Sequence, residues 1–169
     1  MQTIETTVYQ YDELTDEAKE KAKQWAYEFC ADGFADFDGL TGFTSKEEKK
    51  YKLTGDTTDL ISYKEKYFDL DYNYRHLEFK NAAWTSEENA RKFLRVPAKL
   101  WKKAYCTFTT TGDWRHANTT IKFEPQADDD EGQFTDAEQK TLDNAVAIFD
   151  DRRREWFKNL QSSYDDCFT

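Results

Sequence analysis

The residues able to do chemistry are few. His76 and His116 are the only imidazoles in the chain, and a nucleophilic Ser or Cys at neutral pH usually needs one beside it. Each falls within or at the edge of a segment with strand character, and neither sits in a recognisable motif. Cys106 and His116 could meet across a hairpin, but no CxxC or HxxxH spacing supports a metal site there. Asp69 and Asp71 lie two apart on a strand-like stretch, so they would share a face. Such a pair could hold a divalent ion or act as acid and base; a solvated strand face is the simpler reading. The run Asp128, Asp129, Asp130, Glu131 lacks the DxDxDG spacing and the closing Glu of a calcium loop. No P-loop, GxGxxG or GxSxG pattern occurs. The chain is therefore expected not to be an enzyme and to carry no cofactor or metal. A metal-dependent hydrolase built on Asp and His is the alternative.

The second conspicuous block is DDRRRE, from Asp150 to Glu155. At helical spacing Asp150 and Asp151 can each reach Arg154, so the block is expected to be self-compensating surface. Basic residues also gather between Arg91 and Lys103. They offer either an interaction face or partners for the chain's own acids.

The elements that must position these residues follow from periodicity. Residues 2–10 alternate as a strand. Thr15 with Asp16 and Glu17 starts a helix, carried by Ala18, Ala22, Trp25, Ala26 and Phe29 and expected to end near Cys30 before Asp32-Gly33. Residues 31–60 are ambiguous; within them Thr44 can start a short helix and 54–59 reads as a loop. Residues 65–80 read as strand, and the apolar parity switches after Tyr74, so a bulge or turn is expected near Arg75. Thr85 with Glu88 forms a capping-box signature, and Pro97 suits the first position of a further helix. YCTFTTT (105–111) and residues 116–124 read as a hairpin around Gly112-Asp113. Thr135 with Glu138 is another capping box. Leu142, Ala145, Val146, Phe149, Trp156, Phe157, Leu160 and Tyr164 then recur at helical period. The one step of that stripe without an apolar residue is filled by Arg152 and Arg153.

This order predicts an α+β fold: a small antiparallel β-sheet packed with helices and closed by a long C-terminal helix. Residues 1–124 are expected to form the core, 125–134 an acidic linker, and 135–169 the long helix packing back on it, in one domain overall. Hydrophobic residues make up only 38% of the chain while 17% are aromatic, so the core must rest on few large rings drawn from 13 Phe, 10 Tyr and 5 Trp. A disordered chain would lack those rings.

Net charge is −10, which repels phosphate backbones, so direct nucleic-acid binding is not expected. A basic protein surface, including one that normally holds nucleic acid, is the fitting partner. Residues 1–14 hold no apolar signal core and no run approaches a membrane span. With three widely spaced cysteines, the expectation is a soluble cytoplasmic protein with free thiols.

Two stretches resemble a known group. One is TIETTVYQYDELTDEAKEKAKQWAYE, with Tyr11, Asp12, Glu13, Leu14, Ala18, Lys19, Ala22 and Trp25 carrying its most specific part. The other is GDWRHANTTIKF, followed by an acidic linker and a helix ending in WFKNLQSSYDD. These resemble small acidic phage and prophage proteins often labelled antitoxins of toxin–antitoxin stability systems. The likeness covers both ends of the chain and not its middle. It implies a phage-borne accessory protein, acting by binding in the host cytoplasm. The expected contacts are Asp128, Asp129, Asp130 and Glu131, with Asp150 and Asp151 on the last helix. A homodimer, or a structural homo-oligomer joined through that helix, is the remaining alternative.

Overall fold

In the computed structural model the described residues are 10–34, 42–63, 65–69, 76–111, 118–126 and 132–166. The chain divides into two units, Met1–Asp36 and Phe37–Thr169.

In the first unit a 3-10 turn at Tyr11–Glu13 leads into helix α1, Asp16–Phe34. The Gln10 N–H donates to Glu13 Oε2 at 2.8 Å, and the Ala18 N–H to Thr15 Oγ1 at 3.3 Å, so both starts are capped by side chains. α1 runs past Cys30 and through Asp32-Gly33, four residues beyond the expected end. A single glycine costs a helix only about 1 kcal/mol, too little to stop it. The strand expected at 2–10 lies outside the described residues except for Gln10.

The second unit is α+β. Helix α2 is Ser45–Tyr51, and strands β1 (Ile61–Ser62), β2 (Glu65–Asp69), β3 (His76–Lys80) and β4 (Ala83–Trp84) follow. Helices α3 (Glu87–Leu94) and α4 (Ala98–Lys103), strands β5 (Ala104–Thr111) and β6 (Asn118–Pro125), and helix α5 (Asp136–Asp166) complete it. The strands pair antiparallel as β1–β4, β2–β3 and β5–β6. The stretch read as strand over 65–80 with a bulge or turn near Arg75 holds two antiparallel strands, β2 and β3, and the expected break itself lies outside the described residues. Two caps move by one residue. Ser86, not Thr85, accepts the Asn89 N–H at 3.3 Å, and Pro97 precedes the first turn of α4 instead of opening it.

In the β5–β6 hairpin the register sets Cys106 opposite Phe123 and Phe108 opposite Ile121. Opposite residues share a face, and this face meets the core. Along β6 the alternation is plain: Thr119 and Ile121 are buried, Lys122 and Glu124 exposed. β3 lies beside β6, joined by a buried hydrogen bond from the Phe79 N–H to Thr119 Oγ1 at 3.2 Å.

α5, 31 residues and about 46 Å long, covers β3, β6 and α3. Its Thr135 cap forms as expected: the Thr135 N–H donates to Glu138 Oε2 at 2.9 Å and the Glu138 N–H to Thr135 Oγ1 at 3.3 Å. Lys103 reaches the same carboxylate at 3.0 Å, tying α4 to this helix start. Leu142, Ala145, Phe149, Trp156 and Leu160 form its buried stripe. Phe149 packs edge-on against Trp84 and Phe108, with both centroid separations 5.9 Å. Truncating so buried a ring costs about 3–5 kcal/mol, so Phe149→Ala is the change best placed to detach α5.

Two helices end without glycine. Lys52 (φ 54°) closes α2 and Arg95 (φ 60°) closes α3, both left-handed. Each position costs a side-chain-bearing residue about 1–2 kcal/mol that glycine would not incur. No helix among the described residues is long and apolar enough to cross a membrane.

Candidate functional site

The residues flagged for chemistry fall in different places. Asp71, His116 and the run Asp128, Asp129, Asp130, Glu131 lie outside the described residues. Asp69 and His76 are directly opposite in the β2–β3 register. Cys106 is held by the hairpin against the core, and burial pushes its thiol up to about 12. At neutral pH it stays protonated and is a poor nucleophile. Among the described residues no three His, Cys, Asp or Glu side chains gather to hold a metal ion.

The DDRRRE block divides. Asp151 is exposed and pairs with Arg154 at 3.0 Å, the self-compensating contact its spacing predicts. Asp150 pairs with Arg153 at 3.7 Å and not with Arg154. Arg152 overturns the surface reading, because it is only 7% exposed. It follows Phe149 by three residues and precedes Trp156 by four, which puts it on the buried stripe.

Three rings surround Arg152. Its guanidinium carbon lies 5.6 Å from the Phe43 centroid, 5.0 Å from Phe93 and 5.9 Å from Trp156. Its Nη2 donates to Glu47 Oε1, and its Nη1 is 3.7 Å from Glu155. A flat, weakly hydrated guanidinium suits such a place, since it can stack on rings while its edge pairs with a carboxylate.

Glu47 has two duties. Its other oxygen accepts from the Thr44 N–H and hydroxyl, both at 2.9 Å, while Thr44 Oγ1 accepts the Glu47 N–H at 3.3 Å. One carboxylate thus starts α2 and neutralises the cation in the core. Burial disfavours its charge, but the Thr44 bonds and Arg152 outweigh that and hold its pKa below the ordinary value. A cleft of about 400 Å³ opens beside the pair between α2 and α5, lined by Thr44, Lys46, Glu155 and Asn159 among others. The sequence signal for this centre was the gap in the α5 stripe; a stripe position is buried whatever residue fills it.

The expected interaction residues gain company in the first unit. Tyr11 is 48% exposed and Trp25 65%, although both belong to classes that usually bury their rings. Around them Asp12, Glu13, Asp16, Glu17 and Glu20 are exposed. Lys21 pairs with Glu17 at 3.2 Å and Lys23 with Glu20 at 3.3 Å. Acid is concentrated here: residues 1–36 hold nine acidic residues against three basic, and residues 37–169 hold twenty-five against twenty-one. No family model, curated protein or solved structure matches this chain.

Proposed function

We propose that this chain is a phage-borne, non-catalytic protein that binds and blocks a basic surface of a host protein in the bacterial cytoplasm, in the manner of an anti-defence inhibitor or an antitoxin. The observation that carries this reading is the first unit's surface: exposed Tyr11 and Trp25 among exposed carboxylates, in the part of the chain with the greatest excess of acid. Tyr and Trp are the residues that most often anchor protein interfaces. A surrounding acidic field speeds encounter with a basic partner and selects against acidic ones. The resemblance of residues 3–28 to small acidic phage proteins points the same way. The fitting partner is a protein with a basic groove of the kind that holds nucleic acid.

The test is capture of partners from a bacterial lysate, identification by mass spectrometry, and affinity measurement with the purified partner. Tyr11→Ala with Trp25→Ala is expected to weaken binding by at least about thirtyfold, a hot-spot effect. Reversing Asp128, Asp129, Asp130 and Glu131 to Lys should slow association and flatten its salt dependence. A partner whose affinity survives both sets unchanged would overturn the reading.

A further inference from the structure

The second unit carries the opposite sign at one place. The last turns of α2 and α3 converge: Tyr51 packs edge-on to Phe93 at 5.4 Å, and Lys92 Nζ donates to the Lys52 carbonyl at 2.9 Å. The bases Lys49, Lys50 and Lys52 come from one helix end, and Arg91, Lys92 and Arg95 from the other. Helix C-termini attract cations because their carbonyls point outward unpaired. That accounts for Lys92 and for Arg91, which donates to the Val96 carbonyl at 3.4 Å.

The remaining bases, Lys50, Lys52 and Arg95 among them, exceed that need. Most neighbouring carboxylates have cations of their own: Glu88 has Lys92 at 2.8 Å, Glu47 has Arg152, Glu155, which shares a cleft with Lys50, has Arg152 at 3.7 Å, and Asp151, which shares a cleft with Arg95, has Arg154, while Glu48 accepts from the Thr57 hydroxyl at 2.5 Å. Among the described residues neither Lys49 nor Lys52 has a side-chain ion pair. The Tyr51 ring centroid lies 4.9 Å from Lys50 Nζ. Lys50 and, less strongly, Arg95 draw the pKa of the Tyr51 hydroxyl below the ordinary value against the effect of burial. The two left-handed caps, where glycine would fit without strain, are the basic residues Lys52 and Arg95.

We propose that the converging ends of α2 and α3 form a binding site for a compact, multiply charged phosphate group, held by Lys50, Lys52 and Arg95 with the Tyr51 hydroxyl as a further donor. Ammonium and guanidinium groups are the usual phosphate ligands. The net charge of −10 opposes a long polyanion, so a free phosphate or the phosphates of a nucleotide fit better than a nucleic-acid strand.

The experiment titrates the whole chain with inorganic pyrophosphate, followed by calorimetry and amide NMR, beside a single-stranded oligonucleotide at equal ionic strength. Lys52→Gly and Arg95→Gly remove the charges while supplying the residue that a left-handed cap prefers, so both variants should stay folded, with midpoints of unfolding equal to or above that of the parent. Saturable pyrophosphate binding at one site is expected, weakened about tenfold or more in the double variant. Failure to saturate below about 10 mM overturns the proposal. So does undiminished binding by the double variant, or tighter binding of the oligonucleotide than of pyrophosphate.

Discussion

Arg152→Ala is expected to be among the most damaging single changes in this chain. The substitution leaves the Glu47 carboxylate without its cation and opens a void between Phe43, Phe93 and Trp156. Breaking a buried ion pair typically costs 3–5 kcal/mol. The Glu47 side chain retains 23% exposure toward the cleft, so water recovers part of that, and we expect about 2–4 kcal/mol. For a chain of this size that is a fall in melting temperature of roughly 6–12 °C. Glu47→Gln separates the contributions, because an amide still serves as the third residue of a capping box but carries no charge for Arg152. Arg152→Met with Glu47→Gln fills the space and leaves no charge unpaired, so it should recover most of the loss. Urea unfolding followed by tryptophan fluorescence reads all three variants. The pH profile adds an independent check. The Glu47 pKa is lower in the folded state than its ordinary 4.5, so its contribution is complete above that value and is lost as pH falls below it. Glu47→Gln should lose less stability than the parent across that acid window. A cost below about 1 kcal/mol for Arg152→Ala, or a Met/Gln double variant less stable than Arg152→Ala, would refute the reasoning.

Asn89 is 2% exposed, accepts from the Thr54 N–H at 3.2 Å, and donates to the Thr54 and Asp56 carbonyls at 2.9 and 3.2 Å. Asn89→Ala should cost about 2–3 kcal/mol by leaving those backbone groups unpaired, and hydrogen exchange should show the 54–59 loop losing protection first. Cys106, in a chain with Cys30 and Cys167 replaced by Ser, should react with a thiol reagent only at the rate at which the native state opens; rapid native labelling at pH 8 would contradict a thiol pushed up to about 12.

The parts of the fold that were legible in the sequence are those in which local signals decide. The Thr44 and Thr135 caps, the β5–β6 pairing and the apolar stripe of α5 each rest on residues close together in sequence. The errors arise where tertiary context decides. Asp32-Gly33 does not end α1. Ser86 displaced Thr85 as a cap because both hydroxyls are suited to the role and only the backbone path selects between them. Arg152 was hidden by its type: a charge was read as surface, although its position on the stripe required burial. The convergence of the α2 and α3 ends could not be read, since it joins residues 49–52 to residues 92–95. Asp150 and Asp151 were legible only as helix surface with nearby bases, and Asp128–Glu131 only as a run of charge.

Among the described residues the second unit's strands occur in antiparallel pairs, and an isolated pair is marginal in water. The layer that covers β3 and β6 is α5, which the ribosome makes after every strand it must cover. Synthesis therefore delivers hairpins with apolar faces and no cover, and the nascent chain must wait for α5 before its second unit can close. During that interval it presents the kind of surface that chaperones hold and proteases cut. The abundance of this protein in a cell should thus depend on how quickly translation proceeds from residue 104 to residue 166.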